Sequence, residues 1–192
     1  FLDTRGWGLD FIFNTHHHGD HVGANLLLIE KYGAKVFGCA KDSSRIPGIS
    51  FFLEDNQEIL FGSERVRVIA CDGHTIGHIS YWFPDSKLLF VGDTIFSLGC
   101  GALFEGTPEV MWKSLERIRD LPGDTLVYCA HEYTLDNAAY AITAEPENQD
   151  LMERVVEAKR QEHLCFWVFA AQVWRMQTNA GRPVSDRTTI PK

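Results

Sequence analysis

The chain has no CxxC pair, and its five cysteines (Cys39, Cys71, Cys100, Cys129 and Cys165) are odd in number and widely spaced. A disulfide framework is therefore not expected; reduced, mostly buried thiols are, which favours the cytosol. Long apolar runs are missing too. The longest, LCFWVFAA at 164–171, falls far short of the ~20 residues that cross a bilayer, so no membrane partner is expected. Basic residues are outnumbered, 18 Lys and Arg against 26 Asp and Glu. That balance argues against nucleic acid, which needs a basic face, but not against a small anionic substrate held in one local pocket. No charged segment followed by an apolar one opens the chain, so no secretory leader is expected in these residues. Repeats and low-complexity segments are likewise absent.

What is present fits one globular domain with a small appendage: 192 residues, 45% hydrophobic and 23% charged. DFIFNT (10–15) reads as a buried strand, ANLLLIEKYG (24–33) as a helix closed by Gly33, and AKVFG (34–38) as the next strand. RVRVIA (65–70) alternates with a strand period, and HISYWF (78–83) with KLLFVGD (87–93) flank the turn PDSK as a hairpin. PEVMWKSLERIRDL (108–121) is an amphipathic helix with Thr107 as N-cap and Pro108 in its first position. TLVYCAH (125–131) is a further strand and NQDLMERVVEAKRQEH (148–163) a further helix. Strands and helices interleave, so the fold class is α/β (α+β). A soft boundary near TAEPENQD (143–150) divides a metal-binding domain, 1–145, from a helical or irregular C-terminal region, 146–192.

The chemistry concentrates in NTHHHGDHVGAN (14–25), with four histidines and one aspartate in six consecutive residues. In extended backbone His16 and His18 project together while His17 faces away, toward a structural role. Asp20 and His21 are adjacent, so their side chains are expected to diverge. One segment then presents two ligand sets, a spacing that suits two metal ions better than one. Further ligands are sought at strand tips: His74 in a glycine-containing turn, Asp93 ending LFVGD and His131 ending VYCAH. An imidazole or carboxylate at the end of a buried strand, three times over, is what a loop-built site on a rigid sheet requires.

Taken together, THHHGDHVGAN, GHTIGHISYWF, LFVGDTIFSLGCGALFEGTPEVMWKSL and VYCAHEYTLDNAAYA resemble the metallo-β-lactamase superfamily, in its hydroxyacylglutathione hydrolase (glyoxalase II) branch. The resemblance covers about residues 8 to 160. It implies an αββα sandwich whose first strands lie before Phe1, and hence a chain truncated at both ends. It implies one divalent ion on His16, His18 and His74, a second on Asp20, His21 and His131, and Asp93 bridging them. Zinc is the default, with iron or manganese admitted by the oxygen ligands. The implied reaction is hydrolysis of S-lactoylglutathione to lactate and glutathione by a hydroxide shared between the metals, which removes methylglyoxal. Asp20 and Asp93 are then the catalytic carboxylates, and Tyr133 and Phe104 line the substrate pocket.

The chain also departs from that pattern. Ala102 stands where relatives carry a basic residue that helps hold glutathione, and Asp72 stands where they have proline. After EAKRQ the apolar EHLCFWVFAAQVWRMQTNA replaces a turn leading to a basic tail. Other chemistries of the same fold (persulfide dioxygenase, lactonase, nuclease) and a non-catalytic metal-binding remnant are the alternatives. Asp20 and His21 count against a mononuclear centre, and the acidic balance counts against a nuclease.

Overall fold

The computed structural model describes residues 1–162 and 173–175. A short helix α1 (Leu2–Arg5) leads into strand β1 (Phe11–Phe13), and the histidine-rich loop passes into a single helical turn, α2 (Gly19–Val22). Helix α3 (Asn25–Tyr32) ends at Gly33 and is followed by β2 (Lys35–Cys39), a 3-10 turn at Ala40–Asp42 and β3 (Ile49–Leu53). Strands β4 (Glu58–Phe61), β5 (Glu64–Ala70), β6 (Ile79–Phe83) and β7 (Leu88–Gly92) follow, then the small ribbon β8 (Ile95–Phe96) and β9 (Gly99–Cys100). Helix α4 (Pro108–Arg119), strand β10 (Leu126–Cys129), helices α5 (Thr134–Ala144) and α6 (Gln149–Glu162), and strand β11 (Val173–Arg175) complete the order.

Two sheets carry the fold. The first is parallel, in the order β1-β2-β3; the second is mixed, in the order β11-β10-β7-β6-β5-β4. Val66, Val68, Ile79 and Tyr81 of the second sheet bury themselves against Cys39 and Leu53 of the first, with Phe13 and Phe37 packed alongside. The outer face of the first sheet is closed by α2 and α3, through Val22, Val36 and Ile46 against Ile12 and Ile29. The outer face of the second is closed by α4, through Ile69, Leu89, Val91, Val127 and Ile118. The layers thus run helix, sheet, sheet, helix: the αββα sandwich that the resemblance implied. Because β6 and β7 lie between two covered faces, Ile79, Leu89 and Val91 are fully buried, each contributing about 1.5–3 kcal/mol by leaving water.

Local signals behave as their chemistry requires. Gly33 takes the left-handed conformation that stops α3, and the Thr107 hydroxyl accepts the Val110 N–H at 3.4 Å at the head of α4. Among the elements not anticipated are β3, β4, α1 and α5. The first two are short apolar runs without alternation, and α5 is a small-residue segment whose buried Ala138 is defined only by its packing on Leu151 and Val155 of α6. The expected division at residue 145 therefore falls between two helices that share a cluster. The stretch expected to be helical or irregular also contains a strand: β11 pairs antiparallel with the outer edge of β10, whose backbone groups would otherwise stand unpaired. The apolar stretch at 164–171 and GRPVSDRTTIPK lie outside the described residues. Among the described residues, no helix is long and apolar enough to cross a membrane.

Candidate metal centre

All seven expected ligands lie at one end of the sandwich, on the loops that leave β1, β5, β7 and β10. The histidine-rich loop is pinned from several sides. The Ile79 N–H donates to the Thr15 carbonyl at 2.9 Å, the Tyr81 hydroxyl to the Asn14 carbonyl at 2.6 Å, and the Asn14 side-chain amide to the His21 carbonyl at 3.0 Å. His18 is extended at the head of α2, so His16 and His18 point into the same space, with His16 Nε2 and His18 Nδ1 3.1 Å apart. His74 Nε2 completes the group, 3.0 Å from His18 Nδ1.

The chemistry of this donor set decides what it can hold. His74 Nδ1 carries its proton, because it donates to the Ala102 carbonyl at 2.8 Å, so Nε2 presents a bare lone pair to the cluster. A single proton on His18 Nδ1 could serve only one of its two imidazole neighbours. Three nitrogens, two of them about 3 Å from the third and all within 4.8 Å of one another, are short of protons and lack an electron-pair acceptor; a tetrahedral ion with ligands at about 2.0–2.1 Å separates its nitrogens by about 3.3 Å. The residues fit a metal ion.

The second group is Asp20, His21 and His131. Asp20 Oδ2 lies 3.0 Å from His131 Nε2 and 3.3 Å from His21 Nε2. This corrects one expectation: Asp20 and His21 do not diverge. The turn of α2 carries them in the helical conformation, and Asp20 bends back to meet the ring of its neighbour. Asp93 stands between the groups, with Oδ1 3.1 Å from His21 Nε2 and Oδ2 3.4 Å from His131 Nε2 and 3.6 Å from His74 Nε2. Asp93 Oδ1 and His21 Nε2 are buried and lack a hydrogen-bonding alignment despite their closeness, again leaving lone pairs for an ion.

Burial and neighbouring imidazoles hold His16 well below the usual histidine range, and burial lowers His18 as well. Burial would lower His21, but Asp93 and Asp20 lift it above its ordinary value. Burial would raise Asp93, yet the facing imidazoles keep it below the usual carboxylate range. Neutral His16 and His18 beside an ionised Asp93 are the protonation states a metal ligand needs.

Four side chains that support the centre had escaped notice. His78 stacks on His16 at 4.7 Å and is pushed down to about 3 by burial; its Nε2 accepts the Asp93 N–H at 3.2 Å, which fixes the backbone of that carboxylate. Its signal was the second imidazole of GHTIGH, at the mouth of a strand. His17 does turn away from its neighbours, toward Asp42 Oδ2 at 2.9 Å. Asp42, Arg45 and Glu105 gave no local signal, since each matters only through contacts distant in sequence. Of the two expected substrate residues, Phe104 is well exposed and sets its ring edge-on to His18 and His74, at 5.5 and 5.2 Å. Tyr133 stacks on His131 at 5.4 Å. One aromatic ring thus borders each half of the centre.

Comparison with known proteins agrees with this geometry. Residues 2–131 match the model of the metallo-beta-lactamase superfamily. The hydroxyacylglutathione hydrolase of Methylococcus capsulatus is 56% identical over 163 residues, which cover 84% of this chain but only 64% of that protein's length. The Brucella ovis protein of the same name is 48% identical over 188 residues, covering 97% of this chain and 73% of its own. Among solved structures, TTHA1623 in a di-iron-bound form superposes with a TM-score of 0.59 at 29% identity, over 68% of this chain and 74% of that one. The chain belongs to the metallo-β-lactamase superfamily, in its hydroxyacylglutathione hydrolase branch.

Proposed function

We propose that the protein hydrolyses glutathione thioesters, S-lactoylglutathione to lactate and glutathione, at a centre of two divalent ions. The observation that carries this reading is Asp93, whose two oxygens lie within 3.6 Å of imidazoles from both ligand groups. His16, His18 and His74 would hold one ion, Asp20, His21 and His131 the other, and Asp93 would belong to both. Bound there, such ions polarise a carbonyl and acidify water.

This chain's own residues do the rest. The Ala102 carbonyl keeps the His74 tautomer that aims Nε2 inward. His78 holds Asp93 by its backbone, leaving both carboxylate oxygens free for the centre. Phe104 and Tyr133 offer the acyl and peptide parts of a thioester two apolar faces beside the reacting position. A thiol leaving group with a pKa near ~8.5 departs as thiolate, so no side chain need protonate it. Imidazole-rich coordination favours zinc, while the oxygen ligands and the di-iron relative keep iron and manganese in play. The four described cysteines are free, in keeping with a cytosolic role in removing methylglyoxal adducts.

The test is metal analysis of the purified chain alongside thiol release from S-lactoylglutathione. About two equivalents per chain are expected, with activity lost on chelation and in Asp93→Ala, since removing the carboxylate common to both ligand groups would uncouple the two-metal site. A folded, metal-loaded protein inert on this substrate but active on another ester would overturn the substrate and leave the centre standing.

A further inference from the structure

Beside the centre lies a charged cluster that the reaction does not use. Asp42 closes the 3-10 turn after β2 and is fully buried, a costly position for a carboxylate unless its lone pairs are taken. They are: Oδ2 accepts from His17 Nδ1 at 2.9 Å and Oδ1 from Arg45 Nε. The Arg45 guanidinium also donates to the Ile76 carbonyl at 2.8 Å and, through both terminal nitrogens, to Glu105. Glu105 in turn accepts the Ile76 N–H at 2.7 Å and lies 3.7 Å from His17 Nε2.

These bonds fasten three loops to one another. His17 sits between His16 and His18, Ile76 follows His74 by two residues, and Glu105 is on the loop whose Ala102 carbonyl sets the His74 tautomer. Two of these loops serve only the His16–His18–His74 group; the histidine-rich loop also carries Asp20 and His21, but the cluster grips it at His17, between two ligands of the first group. Among the described residues, its bonds reach none of Asp20, His21 or His131.

Resting on the two-ion reading above, we propose that Asp42, Arg45 and Glu105 are positioning residues for one half of the centre. They hold His17 against the 74–78 loop and so set the separation of His16 and His18 from His74. Loosening them costs pre-organisation at that half and leaves the Asp20–His21–His131 half unchanged.

The experiment is zinc titration of the full chain against a chromophoric chelator, comparing wild type with Asp42→Asn, Arg45→Lys and Glu105→Gln. The latter two are more exposed positions, which keep the test decisive if Asp42→Asn fails to fold. One zinc equivalent should weaken about 10–100-fold, the range for lost outer-shell partners, with the other unchanged. In a His131→Ala background the Glu105→Gln change should weaken the remaining zinc; in a His74→Ala background it should do nothing. A merely structural role would lower the melting temperature of the metal-free protein and weaken both equivalents alike. That outcome, or no change at either site, overturns the proposal. A folded wild type that binds no zinc overturns the two-ion reading itself.

Discussion

Gly92 gives the sharpest test of how tightly the sheet is fitted to the centre. It ends β7 at φ +52°, and a Cβ there would stand 2.4 Å from Thr15 Oγ1 and 2.8 Å from His78 Nε2. Gly92→Ala therefore carries two penalties. A left-handed backbone costs a non-glycine residue about 1–2 kcal/mol. Forcing a methyl into filled space costs about 1–3 kcal/mol more, because both neighbours are rings or hydroxyls fixed by their own bonds. Gly62 supplies the control. It turns β4 into β5 at φ +63° with nothing within 4 Å of its would-be Cβ, so Gly62→Ala carries the backbone penalty alone. At about 2–4 °C per kcal/mol for a chain of this size, Gly62→Ala should lower the melting temperature by about 4 °C and Gly92→Ala by about 10 °C. Thermal unfolding followed by circular dichroism measures both. Equal shifts would refute the packing argument, since only the contacts distinguish the two sites. The Thr15 hydroxyl faces His16 Nδ1 at 3.1 Å, so the Gly92 variant should also weaken metal binding where the Gly62 variant does not.

Two further expectations follow from the buried groups. His78 is pushed down to about 3 from an ordinary 6.5, so below pH 6.5 the unfolded chain takes up protons that the folded one refuses. The stability of metal-stripped protein should hold above that pH and fall on acidification toward pH 3, by up to about 1.4 kcal/mol per unit from this residue. Depressed His16 and Asp93 act in the same direction, and raised His21 in the opposite one; urea unfolding at about pH 5 and about pH 7.5 checks the sign. Burial pushes Cys71 up to about 11 and raises Cys39. Both should escape iodoacetamide in the folded protein and react after denaturation, as peptide mass mapping would show; labelling of either in the native state would contradict the core described above.

How much could be read in advance depended on the range of the interactions involved. The run NTHHHGDHVGAN, the strands carrying His74, Asp93 and His131 at their tips, and the caps at Thr107 and Gly33 are short-range features written in neighbouring residues. Alternation and ligand chemistry were enough to find them. Strands β3 and β4 and helix α5 were passed over because their residues make sense only against partners elsewhere: Leu53 against β5 and β6, Ala138 against α6. The meeting of Asp20 with His21 was misjudged for a related reason, since residue spacing says nothing about a carboxylate bending back within one helical turn.

The amino-acid order alone determined which side chains were available to bind a metal and that they would stand at the ends of strands, because both follow from local backbone geometry. Only the tertiary structure decided that Asp93 lies between two groups and that Asp42, 25 residues from His17, is its partner. Those relations exist because two sheets pack face to face and bring four loops to one edge, a distance relation that no sequence interval encodes.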